Sequence, residues 1–72
     1  MNKPSVPFVA PHRIELNINF DDRIDDQRRI AAENWCCHHT QHRWFRRVLT
    51  ERGIAEFHFD DQNEATMFWL AN

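Results

Sequence analysis

The chain has little of what enzymes are usually read from. Its 72 residues contain a single glycine, Gly53, so no glycine-rich loop can cradle a phosphate, and no nucleophile elbow is present. After residue 45 only Thr50 and Thr66 carry a hydroxyl, and neither stands near an evident histidine base. A strong charge of one sign is also missing. The formal net charge is −2, which argues against a protein that binds nucleic acid chiefly by neutralising phosphates. Residues 1–12 hold no continuous apolar run and are interrupted by Pro4, Pro7 and Pro11, so neither a secretory signal nor a membrane anchor is expected there. Cysteine is confined to the adjacent pair Cys36 and Cys37. Neighbouring residues cannot reach relaxed disulfide geometry, so both are expected as free thiols in a reducing compartment, the cytosol. A single domain this small hides only about 60% of its unfolded surface, which predicts a stability of a few kcal/mol and no deep substrate cleft.

Aromatic residues are plentiful by contrast. Six phenylalanines and three tryptophans can fill one compact core and leave aromatic area over for a partner. A local pattern then occurs twice: alternating apolar residues ending in Phe-Asp-Asp, followed by a helix-like stretch. The first copy runs Ile14, Leu16, Ile18, Phe20, Asp21, Asp22, and the second Ala55, Phe57, Phe59, Asp60, Asp61. Alternation at period two predicts a half-buried strand, and the acidic residues predict helix starts rather than an acid and base pair.

Residues 1–12 read as a proline-containing extended arm, with Val6, Phe8 and Val9 between the prolines, and residues 13–72 as one α+β domain. The arm is expected either to fold back on its own core or to dock on a partner or a second copy, which leaves a homodimer open. Arg13 to Phe20 is predicted as a strand. Asp21 or Asp22 then caps a helix with Asp25 and Asp26 in its first turn and a buried stripe of Ile24, Ala31 and Trp35. Trp44, Phe45, Val48 and Leu49 have helical spacing, so residues 42–52 could form a short helix ending at Gly53. The favoured alternative is a hairpin whose loop holds Gly53 in a left-handed conformation before a strand from Ile54 to Phe59. Asp61 and Glu64 form a capping-box-like pair ahead of a last helix with Ala65, Phe68 and Trp69 on its apolar face. The predicted order is β-α-β-β-α: a small, mainly antiparallel sheet with two helices on one face, an incomplete ferredoxin-like arrangement.

The run Phe57-His58-Phe59-Asp60-Asp61 followed by Glu64-Ala65-Thr66-Met67-Phe68-Trp69-Leu70 resembles the ending of many small bacteriophage proteins, which close with F-x-F, acidic residues and D-A-x-x-F-x-L. The likeness covers the last third of the chain, with a looser echo in Trp35-Cys36 and Trp44. Trp69 stands where a basic residue is common, and Ala71-Asn72 where Arg-Trp often ends the chain. The resemblance implies a phage accessory protein of α+β fold and carries over no catalytic residue.

Two clusters carry potential chemistry. Cys36, His38, His39 and His42 have spacings that could chelate an ion on one helix, but structural zinc sites take ligands from separated pairs, and only His12 or His58 could supply the distant half. The histidines are therefore expected at the core edge, with no metal and no cofactor. The run from His42 to Arg47 interleaves Arg43, Arg46 and Arg47 with Trp44 and Phe45. Such a surface suits single-stranded nucleic acid or an acidic protein. The opposing carboxylates of Asp21, Asp22, Asp25, Asp26, Asp60 and Asp61 weigh against nucleic acid. The expectation is a non-enzymatic phage-type protein that occludes an acidic surface of a host protein in the host cytoplasm, using Arg43, Trp44, Arg46, Arg47, Phe8 and Val9. A single-stranded nucleic-acid binder, a Cys/His metal protein and a minor virion protein are the alternatives.

Overall fold

The computed structural model describes all 72 residues. Its elements follow in the order β1 (His12–Asn17), α1 (Arg23–His39), β2 (Trp44–Leu49), a 3-10 turn (Thr50–Arg52), β3 (Ile54–Phe59) and α2 (Gln62–Ala71). The fold is α+β, as the alternation and capping signals predict. No helix is long and apolar enough to cross a membrane.

β3 is the central strand, antiparallel to β1 on one side and to β2 on the other. The register sets His12, Phe59 and Trp44 in one row, Ile14, Phe57 and Arg46 in the next, and Leu16, Ala55 and Val48 in a third. Strand side chains alternate between faces, so these rows look toward the helices while Arg13, Glu15, Phe45, Arg47, Glu56 and His58 look the other way. Phe57, Phe59 and Trp44 are fully buried under Phe68, whose ring lies 4.7 Å from Phe57 and 5.1 Å from Phe59. Burying each ring is worth about 2–3 kcal/mol, a large share of what so small a domain has in total.

Both helices start on aspartate. Asp22 accepts a hydrogen bond from the Ile24 N–H at 2.9 Å, and Asp61 from the Glu64 N–H at 3.0 Å. α1 ends at Thr40, whose N–H and hydroxyl both donate to the Cys36 carbonyl. Gly53 closes the β2–β3 hairpin with φ 66° and ψ 38°, the left-handed conformation expected of it. The alternative helix over 42–52 is not formed, apart from the 3-10 turn. Its apolar pairs, Trp44 with Phe45 and Val48 with Leu49, lie instead on opposite faces of a strand.

Three details differ from the sequence reading. β1 stops at Asn17 rather than Phe20: Ile18 N–H still reaches the Gly53 carbonyl, but Asn19 then turns the chain, its carbonyl accepting from the Asp22 N–H. The buried stripe of α1 is Ala32 and Cys36 with Trp35 at its edge, while Ile24 and Ala31 are exposed. Trp69 is likewise 66% exposed beside a fully buried Phe68. Adjacent helical residues sit about 100° apart, so α1 is rolled by one position from the expected stripe, while α2 buries Ala65 and Phe68 as expected and leaves only Trp69 outside.

The arm folds back on its own chain. Asn2 N–H donates to the Cys37 carbonyl and Ser5 N–H to the Trp44 carbonyl, both at 2.7 Å. The Asn2 side chain donates to Thr40 Oγ1 and to the His42 carbonyl, each at 2.8 Å. Phe8 meets Phe45 edge to face at 5.2 Å.

Candidate functional site: the sheet face away from the helices

Because β2 is a strand, its alternation splits the arginine–aromatic run in two. Trp44 and Arg46 point toward the helices, and Phe45 and Arg47 point away from them. Trp44, expected to face a partner, is only 1% exposed, and its indole N–H donates to the Asn2 carbonyl at 2.9 Å. It is a core residue, and its role as a surface anchor is corrected accordingly. Arg46 is tied to Glu33 of α1 at 2.7 Å on the helix side.

The residues left on the outer face form a continuous band across the sheet. The Arg43 guanidinium sits 4.2 Å above the Phe8 ring and is held by Asp60 at 3.2 Å. Phe8 abuts Phe45, and Phe45 lies flat on His58, with 4.3 Å between centroids and 4° between planes. His58 Nε2 is 3.1 Å from Glu56 Oε1, and Arg13 reaches the other Glu56 oxygen at 3.9 Å. These neighbours bury Glu56 to 5% exposure on a face that no helix covers. A buried carboxylate needs such partners, because removing it from water unpaired is costly. Arg47, opposite Glu56 in register, has no ion-pair partner, and Val9 is fully solvent-exposed.

This band can do limited chemistry. It offers guanidinium groups and an apolar edge to a protein surface, and it carries no hydroxyl or thiol that the His58–Glu56 pair could activate. Bases stack on free ring faces, whereas Phe45 and His58 stack on each other. Glu56 and His58 were legible as polar positions of β3. That Glu56 would be buried was not, since nothing local to the strand signals that His58 and Arg13 would close on it.

The Cys/His cluster does not converge on one point. Cys36 is in the core, where burial pushes its thiol well above the usual range, and His39 stacks on Trp35 while its Nδ1 meets the Trp35 carbonyl. His38 is exposed, and His42 lies beyond the end of α1. His42 finds other company. Its Nδ1 is 3.1 Å from Glu64 Oε2, which also accepts from the Gln41 N–H at 2.8 Å. The hydrogen bond to Glu64, aided by that carboxylate's charge, raises the His42 pKa above the ordinary 6.5. Glu64 thus does not reach back to close a capping box.

Donor atoms of His42, Asp61 and Glu64 lie within 4.8 Å of one another, a candidate cation cluster. Its setting disfavours a metal: the Asp61 oxygen already caps α2, and the positive end of the α2 dipole points into the cluster. The same dipole offsets part of the cost of Glu64 Oε1, which is buried without a hydrogen-bond partner. A groove of about 410 Å³ runs between β1 and α2 and is lined by Pro11, His12, Ile14, Ala65 and Trp69 among others. No protein-family model, curated protein or solved structure matches the chain.

Proposed function

We propose that this protein binds the acidic surface of another protein through the outer sheet face, with Arg47, Arg43, Phe8 and Val9 in the contact. The observation that carries this reading is Arg47, a guanidinium on a helix-free face with no carboxylate of its own. Arginine and aromatic groups dominate binding hot spots, because they combine contact area with directed hydrogen bonds. Arg43 stacked on Phe8 is pre-ordered in this way, so little side-chain freedom is lost on docking. Trp44 takes no part because it is buried, and Arg46 none because it lies on the helix side, tied to Glu33.

The phage resemblance supports a host protein as the target and occlusion as the mechanism: a rigid sheet face covers a surface the host protein needs. The host cytoplasm is the proposed compartment, in keeping with the two unbridged thiols. The test is affinity capture from host lysate followed by mass spectrometry, comparing wild type with Arg47→Glu and Phe8→Ala. The expected result is a captured protein whose affinity falls at least about tenfold on Arg47→Glu, roughly 1.4 kcal/mol. Equal capture by wild type and Arg47→Glu would overturn the reading. A salt-sensitive shift of single-stranded oligonucleotides, lost in Arg47→Glu, would replace it with nucleic-acid binding.

A further inference from the structure

The two edges of the sheet are not alike. In antiparallel pairs, residues alternate between those that bond to the partner strand and those whose N–H and C=O point away. Asp60 N–H donates to the Arg43 carbonyl, so the outward groups of β2 belong to Trp44, Arg46 and Val48, and the arm already takes the Trp44 carbonyl through Ser5. Ile18 N–H donates to the Gly53 carbonyl, so His12, Ile14 and Leu16 bond to β3, and the outward groups of β1 belong to Arg13, Glu15 and Asn17. The Asn17 carbonyl accepts from the Arg28 guanidinium at 3.0 Å, but no strand or arm covers the edge and the outward groups of Arg13 and Glu15 have no partner. β1 also sits where the sheet lacks its fourth strand, and the groove under α2 with the exposed Trp69 lies alongside it.

We infer that the open edge of β1 pairs with β1 of a second copy of this chain, antiparallel about a two-fold axis at Ile14, so that each Arg13 faces Glu15 of the other copy. The charges select this register. Of the two-fold registers that pair the outward residues Arg13, Glu15 and Asn17 with one another, only the one that sets Arg13 against Glu15 brings opposite charges together. Glu15 supplies an independent reason. It stands directly across from Glu56 within its own sheet and has no cation partner, an unfavourable like-charge pair that a guanidinium on its other side relieves.

This pairing forms about four backbone hydrogen bonds between copies, two for each Arg13–Glu15 pair. It sets Ile14 against Ile14 at the axis, beneath the Trp69 side chains of the two α2 helices. An uncovered edge strand is a liability that folded proteins cap or pair, and here the cap is a second molecule. The sheet then runs through both copies, and the outer faces that carry Arg47 lie on one side of it. This inference does not depend on the proposed host contact, since neither Arg47 nor Phe8 lies on the β1 edge.

Light scattering on a sizing column, at chain concentrations from low micromolar to about 100 μM, is expected to give twice the 8.8 kDa chain mass at the upper end. Glu15→Arg sets arginine against arginine and should weaken the dimer at least about tenfold. Arg13→Glu combined with Glu15→Arg should restore it, with circular dichroism checking that each variant is folded. The amide protons of Arg13 and Glu15 should exchange more slowly at high concentration than at low. A wild type that stays monomeric at about 100 μM with fast-exchanging Arg13 and Glu15 amides would overturn the inference, leaving the edge for a strand from a different protein. A dimer indifferent to Glu15→Arg would overturn it equally.

Discussion

The indole N–H of Trp44 donates to the backbone carbonyl of Asn2 at 2.9 Å, across 42 positions of sequence. One bond thus links the largest core side chain to the second residue of the chain and makes the proline-rich arm part of the folded body. The arm is the acceptor for a buried donor, a role not visible in its composition.

Deleting residues 1–5 is therefore expected to cost stability well beyond the loss of a surface tail. The buried Trp44 N–H loses its acceptor and the Trp44 carbonyl its Ser5 donor, at about 1–3 kcal/mol for each unsatisfied group that stays dry. Urea denaturation followed by tryptophan fluorescence measures it. A midpoint unchanged from wild type would mean that the arm is not held as described.

Gly53→Ala tests the hairpin. At φ 66° an added Cβ is strained by the backbone itself and comes within 3.2 Å of the Ile18 carbonyl oxygen. The expected loss is about 1–2 kcal/mol, read as a lower denaturation midpoint with an unchanged slope.

The His42–Glu64 contact makes part of the stability pH-dependent. The folded pKa of His42 is raised above the ordinary 6.5 by its hydrogen bond to Glu64. Its contribution is then fully present below about pH 6.5 and is lost as pH rises through the elevated value. NMR titration of the His42 ring should show the raised midpoint in wild type and a fall toward the ordinary value in Glu64→Gln. Stability curves of His42→Ala should lack the decline over the same window.

Phe68→Ala empties the point where Phe57, Phe59 and Trp35 meet. Such a truncation costs about 3–5 kcal/mol, comparable to the whole stability of a domain this small. The variant is expected to show no cooperative thermal transition, while Trp69→Ala, at an exposed site, should keep one.

The thiols should differ in reactivity. Cys36 is fully buried and its pKa is pushed up by desolvation, whereas Cys37 is partly exposed. A thiol reagent is expected to modify Cys37 in the native protein and Cys36 only on unfolding. Two equally fast sites would contradict the packing of α1.

The sequence by itself determined the elements and their order. Ile14 and Leu16 against Arg13 and Glu15 specify a strand because backbone geometry turns alternate side chains to opposite faces. Asp22 and Asp61 specify helix starts because a carboxylate beside free N–H groups is locally favourable. Gly53 marked the hairpin because only glycine takes a left-handed turn without strain. All of these are short-range effects, decided within a few residues. Tertiary structure alone decided which aromatic groups stay at the surface. Trp44 and Phe45 are neighbours of similar character and both are buried, but on opposite faces of β2, Trp44 in the core beneath the helices and Phe45 between Phe8 and His58, whereas Trp69 is left exposed. The burial of Glu56, the link from His42 to Glu64 and the bare edge of β1 likewise arise from residues brought together across the sheet. Long-range contacts of this kind depend on how whole elements seat on one another, and the one-position roll of α1, which moved Ala31 out and Ala32 in, leaves no mark on local spacing.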